Sequence, residues 1–162
     1  MDYDYDYTYS DGAAAGTILA IYGAFFLLSL VFAAAVYVLM ALALSSFFKK
    51  VGVESWIAWV PIYNTWKWLE VGGQQGWLAL ISLIPYGSIV TAVFLYIGMY
   101  RTGLAFRRDG GFLVIGIFFP YVWAFILGGR AAVYEPALLA WHRQPPPRAG
   151  YGSVVPNPAN AF

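Results

Sequence analysis

Thr17–Phe48, TILAIYGAFFLLSLVFAAAVYVLMALALSSFF, decides the class of this protein. The stretch holds no Asp, Glu, Lys or Arg. A helix needs about 20 predominantly apolar residues to cross roughly 30 Å of hydrocarbon. At about 1.5 Å per residue this one reaches about 48 Å, so it must tilt or project beyond the lipid. Lys49 and Lys50 follow directly. Basic residues beside a span favour the cytoplasmic side. They therefore predict Lys49 and Lys50 at the inner headgroups and the N-terminus outside. The chain opens on Met1-Asp2-Tyr3-Asp4-Tyr5-Asp6-Tyr7, acidic where a cleavable signal peptide is basic. Residues 17–48 thus read as an uncleaved anchor, and 1–16 as a disordered, acidic, Tyr-rich tail.

Two more stretches, 71–100 and 110–129, are free of Asp, Glu, Lys and Arg. Over the whole chain 61% of residues are hydrophobic and 10% charged, against about 25% charged in soluble domains. The predicted fold is all-α, a multi-pass transmembrane helical bundle over 17–136. Pro85-Tyr86-Gly87-Ser88 breaks the second stretch. A short helix at Trp77–Ile84 is expected before it, and a span over 89–106 after it, with Ser88 suited to cap the new helix. Arg101, Arg107 and Arg108 close that span. Residues 112–127 read as the last span, with Pro120 inside it. The Pro/Gly-rich remainder, 137–162, reads as a disordered tail.

Residues 54–70 hold four of the seven tryptophans, together with Pro61 and Lys67. Trp and Tyr gather where lipid meets water, and Pro breaks or kinks a helix. The segment is expected as an interfacial or re-entrant element, Lys67 sending its ammonium to the headgroups. The count is then three or four spans. The arginines balance across the two arrangements, so charge does not choose the side of the C-terminus. A weak repeat recurs at Trp56…Pro61-Ile62-Tyr63-Asn64, Trp77…Pro85-Tyr86-Gly87-Ser88 and Phe112…Pro120-Tyr121. Pro-broken repeats line substrate sites in some transporters, and also arise by duplication of a packing unit.

Catalytic chemistry finds little to stand on. A net charge of +1 provides no nucleic-acid footprint. The chain has no cysteine and one histidine, His142. That excludes thiolate catalysis and leaves no His- or Cys-based metal site. Ser45 and Lys49 share a helix face, but as the end of an anchor rather than a nucleophile and its base. No catalytic, cofactor-binding or metal-ligating residue is expected. Lys67 and Glu70, three apart, read as an interfacial ion pair. Gly12-Ala-Ala-Ala-Gly16, continued by Ala20 and Ala24, is a small-residue face that permits close helix approach in lipid. Expected partners are the bilayer and a second copy or another membrane protein.

The run Trp56…Val60-Pro61-Ile62-Tyr63-Asn64, then Leu69-Glu70-Val71-Gly72 and Trp77…Leu83-Ile84-Pro85, resembles an uncharacterised family of small bacterial multi-pass membrane proteins. These are grouped as a domain of unknown function and are sometimes labelled, or fused to, signal peptidase I. The resemblance extends to Tyr134-Glu135-Pro136, and Pro85-Tyr86-Gly87-Ser88 departs from it. It implies membrane location and fold, and no activity, because the chain lacks a Ser-Met nucleophile motif. Trp56, Pro61, Tyr63, Asn64, Trp77, Pro85 and Pro120 are the signature positions. The expected function is a non-enzymatic structural or accessory component of the plasma membrane. A small-solute or ion permeation protein is the alternative, and a signal-peptidase-associated protein the remote one.

Overall fold

The structure, a computed structural model, describes residues 4–152, with side chains from Gly12 onward. Every regular element among them is helical. In order they are α1 (Asp4–Val51), a 3-10 turn (Ser55–Trp59), α2 (Tyr63–Val71), α3 (Leu78–Ile81), α4 (Gly87–Ala105), α5 (Phe112–Phe118), α6 (Pro120–Gly128) and α7 (Leu138–Trp141). Two helices are long and apolar enough to cross a membrane: Gly12–Val51 and Gly87–Ala105. The chain divides into two compact units, Met1–Val38 and Leu39–Phe162.

The first unit is α1 as far as Val38. Every residue from Gly12 to Val38 is exposed, including Leu19 at 72% and Phe25 at 67%. Two of its described hydroxyls, on Thr17 and Ser29, fold back on the helix. Thr17 donates to the Ala13 carbonyl at 2.9 Å and Ser29 to the Phe26 carbonyl at 2.7 Å, so neither needs water. The helix begins at Asp4, which corrects the expected disordered tail over 1–16. Ala13-Ala14-Ala15 are strong helix formers, and extending a formed helix is easier than starting one. Residues 1–3 lie outside the described residues.

The second unit has a core. Ala43, Leu44, Phe47, Phe48 and Val51 are buried on the last turns of α1, at helical spacing. They meet Trp68 and Val71 of α2, Met99 of α4, and Trp123, Ala124 and Leu127 of α6. The Trp123 ring lies 5.4 Å from Phe47, 5.9 Å from Trp68 and 6.3 Å from Phe112. The indole N–H groups of Trp68 and Trp123 have no acceptor, so both rings serve as packed volume. Glycines let the helices touch. A Cβ on Gly72 would stand 2.3 Å from the Gly98 Cα, and one on Gly128 would stand 2.8 Å from the Phe47 nitrogen.

Three expectations fail here. First, residues 112–127 form two short helices rather than one continuous helix. Phe119 (φ −136, ψ 67) separates them, because the residue before a proline is driven out of the helical region. Pro120 then opens α6, where its missing N–H is not needed. The flanks of this pair meet: Glu135 N–H donates to the Ala105 carbonyl at 2.8 Å. Second, Ser88 is not the cap of α4. Tyr86 is, at φ 63 without a side-chain bond, and Gly87 follows because a Cβ there would sit 1.8 Å from the Ile81 carbonyl.

Third, of the tail expected over 137–162, residues 137–152 are packed rather than loose, and 153–162 lie outside the described residues. Leu139, Pro147 and Gly150 are buried. Arg148 N–H donates to the Glu70 carbonyl and Gly152 N–H to the Val51 carbonyl, both at 2.8 Å. The Val51 carbonyl, on the last turn of α1, lacks an intrahelical donor, whereas the Glu70 carbonyl, on the last turn of α2, also accepts from Gly73 N–H at 3.0 Å. Composition registers that this segment forms no long helix. It does not register that its backbone can cap two others.

Candidate functional site

The first two units of the sequence repeat are one structural device used twice. A helical turn ends and a proline follows, Pro61 or Pro85. The next residue takes positive φ, Ile62 at 66° or Tyr86 at 63°. A helix then begins, α2 at Tyr63 or α4 at Gly87. At Ile62 the turn is tighter still: ψ is −49° and Tyr63 N–H donates to the Pro61 carbonyl at 2.7 Å. That is a γ-turn of the rare positive-φ kind, on a β-branched residue that seldom tolerates it. Pro120 lacks the device, since Tyr121 after it continues the helix and does not take positive φ. The repeat is therefore real over two units and only nominal in the third.

Signature side chains brace these turns. Asn64 Nδ2 donates to the Ala58 carbonyl at 3.2 Å, tying α2 to the 3-10 turn. Trp56 and Tyr63 lie with ring centroids 6.1 Å apart, and the Trp56 indole N–H donates to Glu54. Trp77 likewise donates to the Gln75 side chain. Trp56 and Trp77 keep exposed rings with their N–H groups satisfied locally, which suits the lipid–water boundary.

On α2, one carboxylate gathers two donors. Glu70 accepts from Lys67 Nζ on one oxygen and from Trp66 Nε1 on the other, each at 2.7 Å. The expected Lys67–Glu70 pair is therefore present. Trp66 reaches Glu70 because it lies flat on Gly76, where a Cβ would stand 2.1 Å from the indole nitrogen. Lys67 also sits 5.8 Å above the Tyr63 ring. Its charge is held within the protein, not presented as a nucleophile or base.

The arginines divide. Arg107 grips Glu135 with Nη2 at 2.8 Å from both carboxylate oxygens. Arg101 Nε donates to Gln144 at 3.1 Å. Both have a partner within the chain. Arg108 stacks over Phe112 at 5.3 Å. Lys49, Lys50 and Arg130 have no acidic partner among the described residues, and they border the same two open recesses. Neither Arg130 nor Glu135 carried a local signal, since each finds its neighbours across the fold. Tyr134, named in the sequence only as part of the resemblance's ending, has a structural role of its own. Its hydroxyl donates to the Gly150 carbonyl at 2.8 Å. Burial, and secondarily the charge of Tyr151, push its pKa well above the ordinary phenol value. No group of three His, Cys, Asp or Glu among the described residues could hold a metal ion.

Among the described residues, every regular element is helical and two helices are long and apolar enough to cross a membrane, with paired Pro turns between them. Residues 56–135 match the family model of a family of unknown function (DUF5684), so this stretch is a domain of unknown function, as the Trp56-to-Pro85 signature implied. The match ends on Glu135, the partner of Arg107. No similarity to a curated protein or to a solved structure was found.

Proposed function

We propose that this protein is a non-enzymatic structural or accessory component of the plasma membrane. Its chain crosses three times, with the N-terminus outside and residues 106–152 inside. Helix α1 makes the first crossing and α4 the third. The second belongs to the broken segment between them, which runs antiparallel to α4. Gly72 abuts Gly98, Thr91 donates to the Leu78 carbonyl at 2.8 Å, and Gly87 abuts Ile81. Helices α5 and α6 form a hairpin that enters and returns.

The observation that carries this reading is the 2.8 Å bond from Glu135 N–H to the Ala105 carbonyl. The two flanks of α5–α6 stand together, so the pair does not separate them by a bilayer. Phe106 also lies 6.3 Å from Phe47. This groups Lys49, Lys50, Arg107, Arg108 and Arg130 at one end of the unit, in keeping with the cytoplasmic bias of basic residues. The filled centre at Trp68, Met99 and Trp123 supports a packing role over a conduit.

Single cysteines in the cysteine-free chain test the map. Asp109→Cys and Ala140→Cys in intact cells should resist an impermeant maleimide together, while Gly12→Cys reacts. Labelling of 109 and 140 from opposite sides would refute it. The second reading, permeation of a small solute or ion, draws on the helix breaks at Pro61, Pro85 and Pro120. Flux through proteoliposomes that Asn64→Ala abolishes would favour it and overturn the first.

A further inference from the structure

Three cations from distant parts of the chain converge where no carboxylate answers them. Lys49 and Lys50 stand on the last turn of α1, and Arg130 follows α6. They border a recess of about 480 Å³, completed by Gly52, Ala132, Val133, Tyr134 and Gly152. A second recess of about 390 Å³ adjoins the same three, together with Ser46 and Gly128. Pockets of about 300–1,000 Å³ take small ligands.

The convergence is built. Gly128 lies against the α1 backbone, where any Cβ would stand 2.8 Å from Phe47 N and Ser46 C. That contact brings the chain leaving α6, and Arg130 with it, to the end of α1. On the other side Gly52 (φ +88) abuts Gly152, a Cβ there meeting its carbonyl oxygen at 2.8 Å. The Gly152 N–H bond to Val51 holds that floor. The polar neighbours turn away: Ser46 Oγ donates to the Leu42 carbonyl at 3.1 Å, and Tyr134 Oη to the Gly150 carbonyl. The lining thus offers a guanidinium fork and two ammonium groups, with no competing anion of its own.

We infer that this recess binds a phosphate-bearing group, in which Arg130 engages two phosphate oxygens and Lys49 and Lys50 supply point charge. Guanidinium matches paired phosphate oxygens in plane, and lysine acts as a compact charge beside it. The source is a lipid headgroup or free phosphate. An exposed phosphomonoester, with nearly two charges, gains more from three cations than a diester with one.

Binding is measured by calorimetry on the full chain in phosphatidylcholine nanodiscs. The titrants are dioctanoyl phosphatidic acid in one arm and inorganic phosphate in the other. Binding of the lipid alone assigns the site to a headgroup; binding of both assigns it to free phosphate. Arg130→Gln and the Lys49→Gln/Lys50→Gln pair should each weaken binding about tenfold. Arg108→Gln, a basic residue outside the recess, should change it less than about twofold. All variants are first matched for thermal midpoint. Absence of binding in both arms, or an equal loss from Arg108→Gln and Arg130→Gln, would overturn the assignment.

Discussion

One helix, α1, contributes to both units, and its two parts use the same residues differently. From Gly12 to Val38 its Phe, Leu and Ile side chains are all exposed. From Leu39 to Val51 the same residue types form the wall of a core, with Phe47 and Phe48 fully buried. Composition does not separate the two parts. What separates them is whether this chain provides a covering surface. The difference teaches that apolarity states a need for cover, while a facing segment of the chain, here brought close at Gly128, decides whether the protein meets it itself. Gly128 meets α1 in the second part. Gly12, Gly16 and Gly23 in the first have open space around them, so the small-residue face there packs against nothing among the described residues. In the membrane reading, lipid covers it.

The contrast breaks first at Trp123. Trp123→Ala should cost about 3–5 kcal/mol, because the cavity would open among Phe47, Trp68 and Phe112. Phe26→Ala, on the exposed part, should stay within about 0.5 kcal/mol. Denaturant unfolding in detergent reads both, and equal costs would abolish the distinction between the two parts. Next is Gly72→Ala. Its Cβ would collide with the Gly98 backbone, and parting α2 from α4 should cost about 1–3 kcal/mol. Gly16→Ala, in open space, should be neutral or slightly stabilising in the same assay.

The smallest effect is one of pH. In the unfolded chain Tyr134 loses its proton near about 10; in the folded protein burial holds the proton to higher pH. Folding therefore binds a proton in that window. The associated stability is complete below pH ~10 and is lost as pH rises through the folded value. Tyr134→Phe should cost about 1 kcal/mol at pH 7, through the lost bond to Gly150. It should also flatten the alkaline decline of the thermal midpoint. An unchanged decline would place the titrating group elsewhere.

Local patterns were readable in the sequence. The charge-free run gave a helix, Pro61 and Pro85 gave breaks, and the three-residue spacing of Lys67 and Glu70 gave their ion pair. Each depends on residues within a few positions. The Arg107–Glu135 pair spans 28 positions, and the bonds from Arg148 and Gly152 to Glu70 and Val51 use backbone atoms that every residue has. No side-chain pattern announces them. Pro120 was legible as a break, but what the break does was not. A proline is compatible with a kinked span or with a hairpin, and only the meeting of Ala105 with Glu135 distinguishes the two. The recess shared by Lys49, Lys50 and Arg130 was half legible, as two lysines at a helix end.

The strap formed by residues 145–152 sets an order of events. Ribosomes deliver α1 and α2 long before Arg148 and Gly152, at about 5–20 residues per second. Until Gly152 emerges, the Val51 carbonyl must find water or a borrowed donor, while Glu70 keeps the Gly73 N–H. The last described residues therefore act as a latch on elements made first. A chain cut at residue 144 would retain the entire DUF5684 match and still leave the end of α1 at Val51 without its donor.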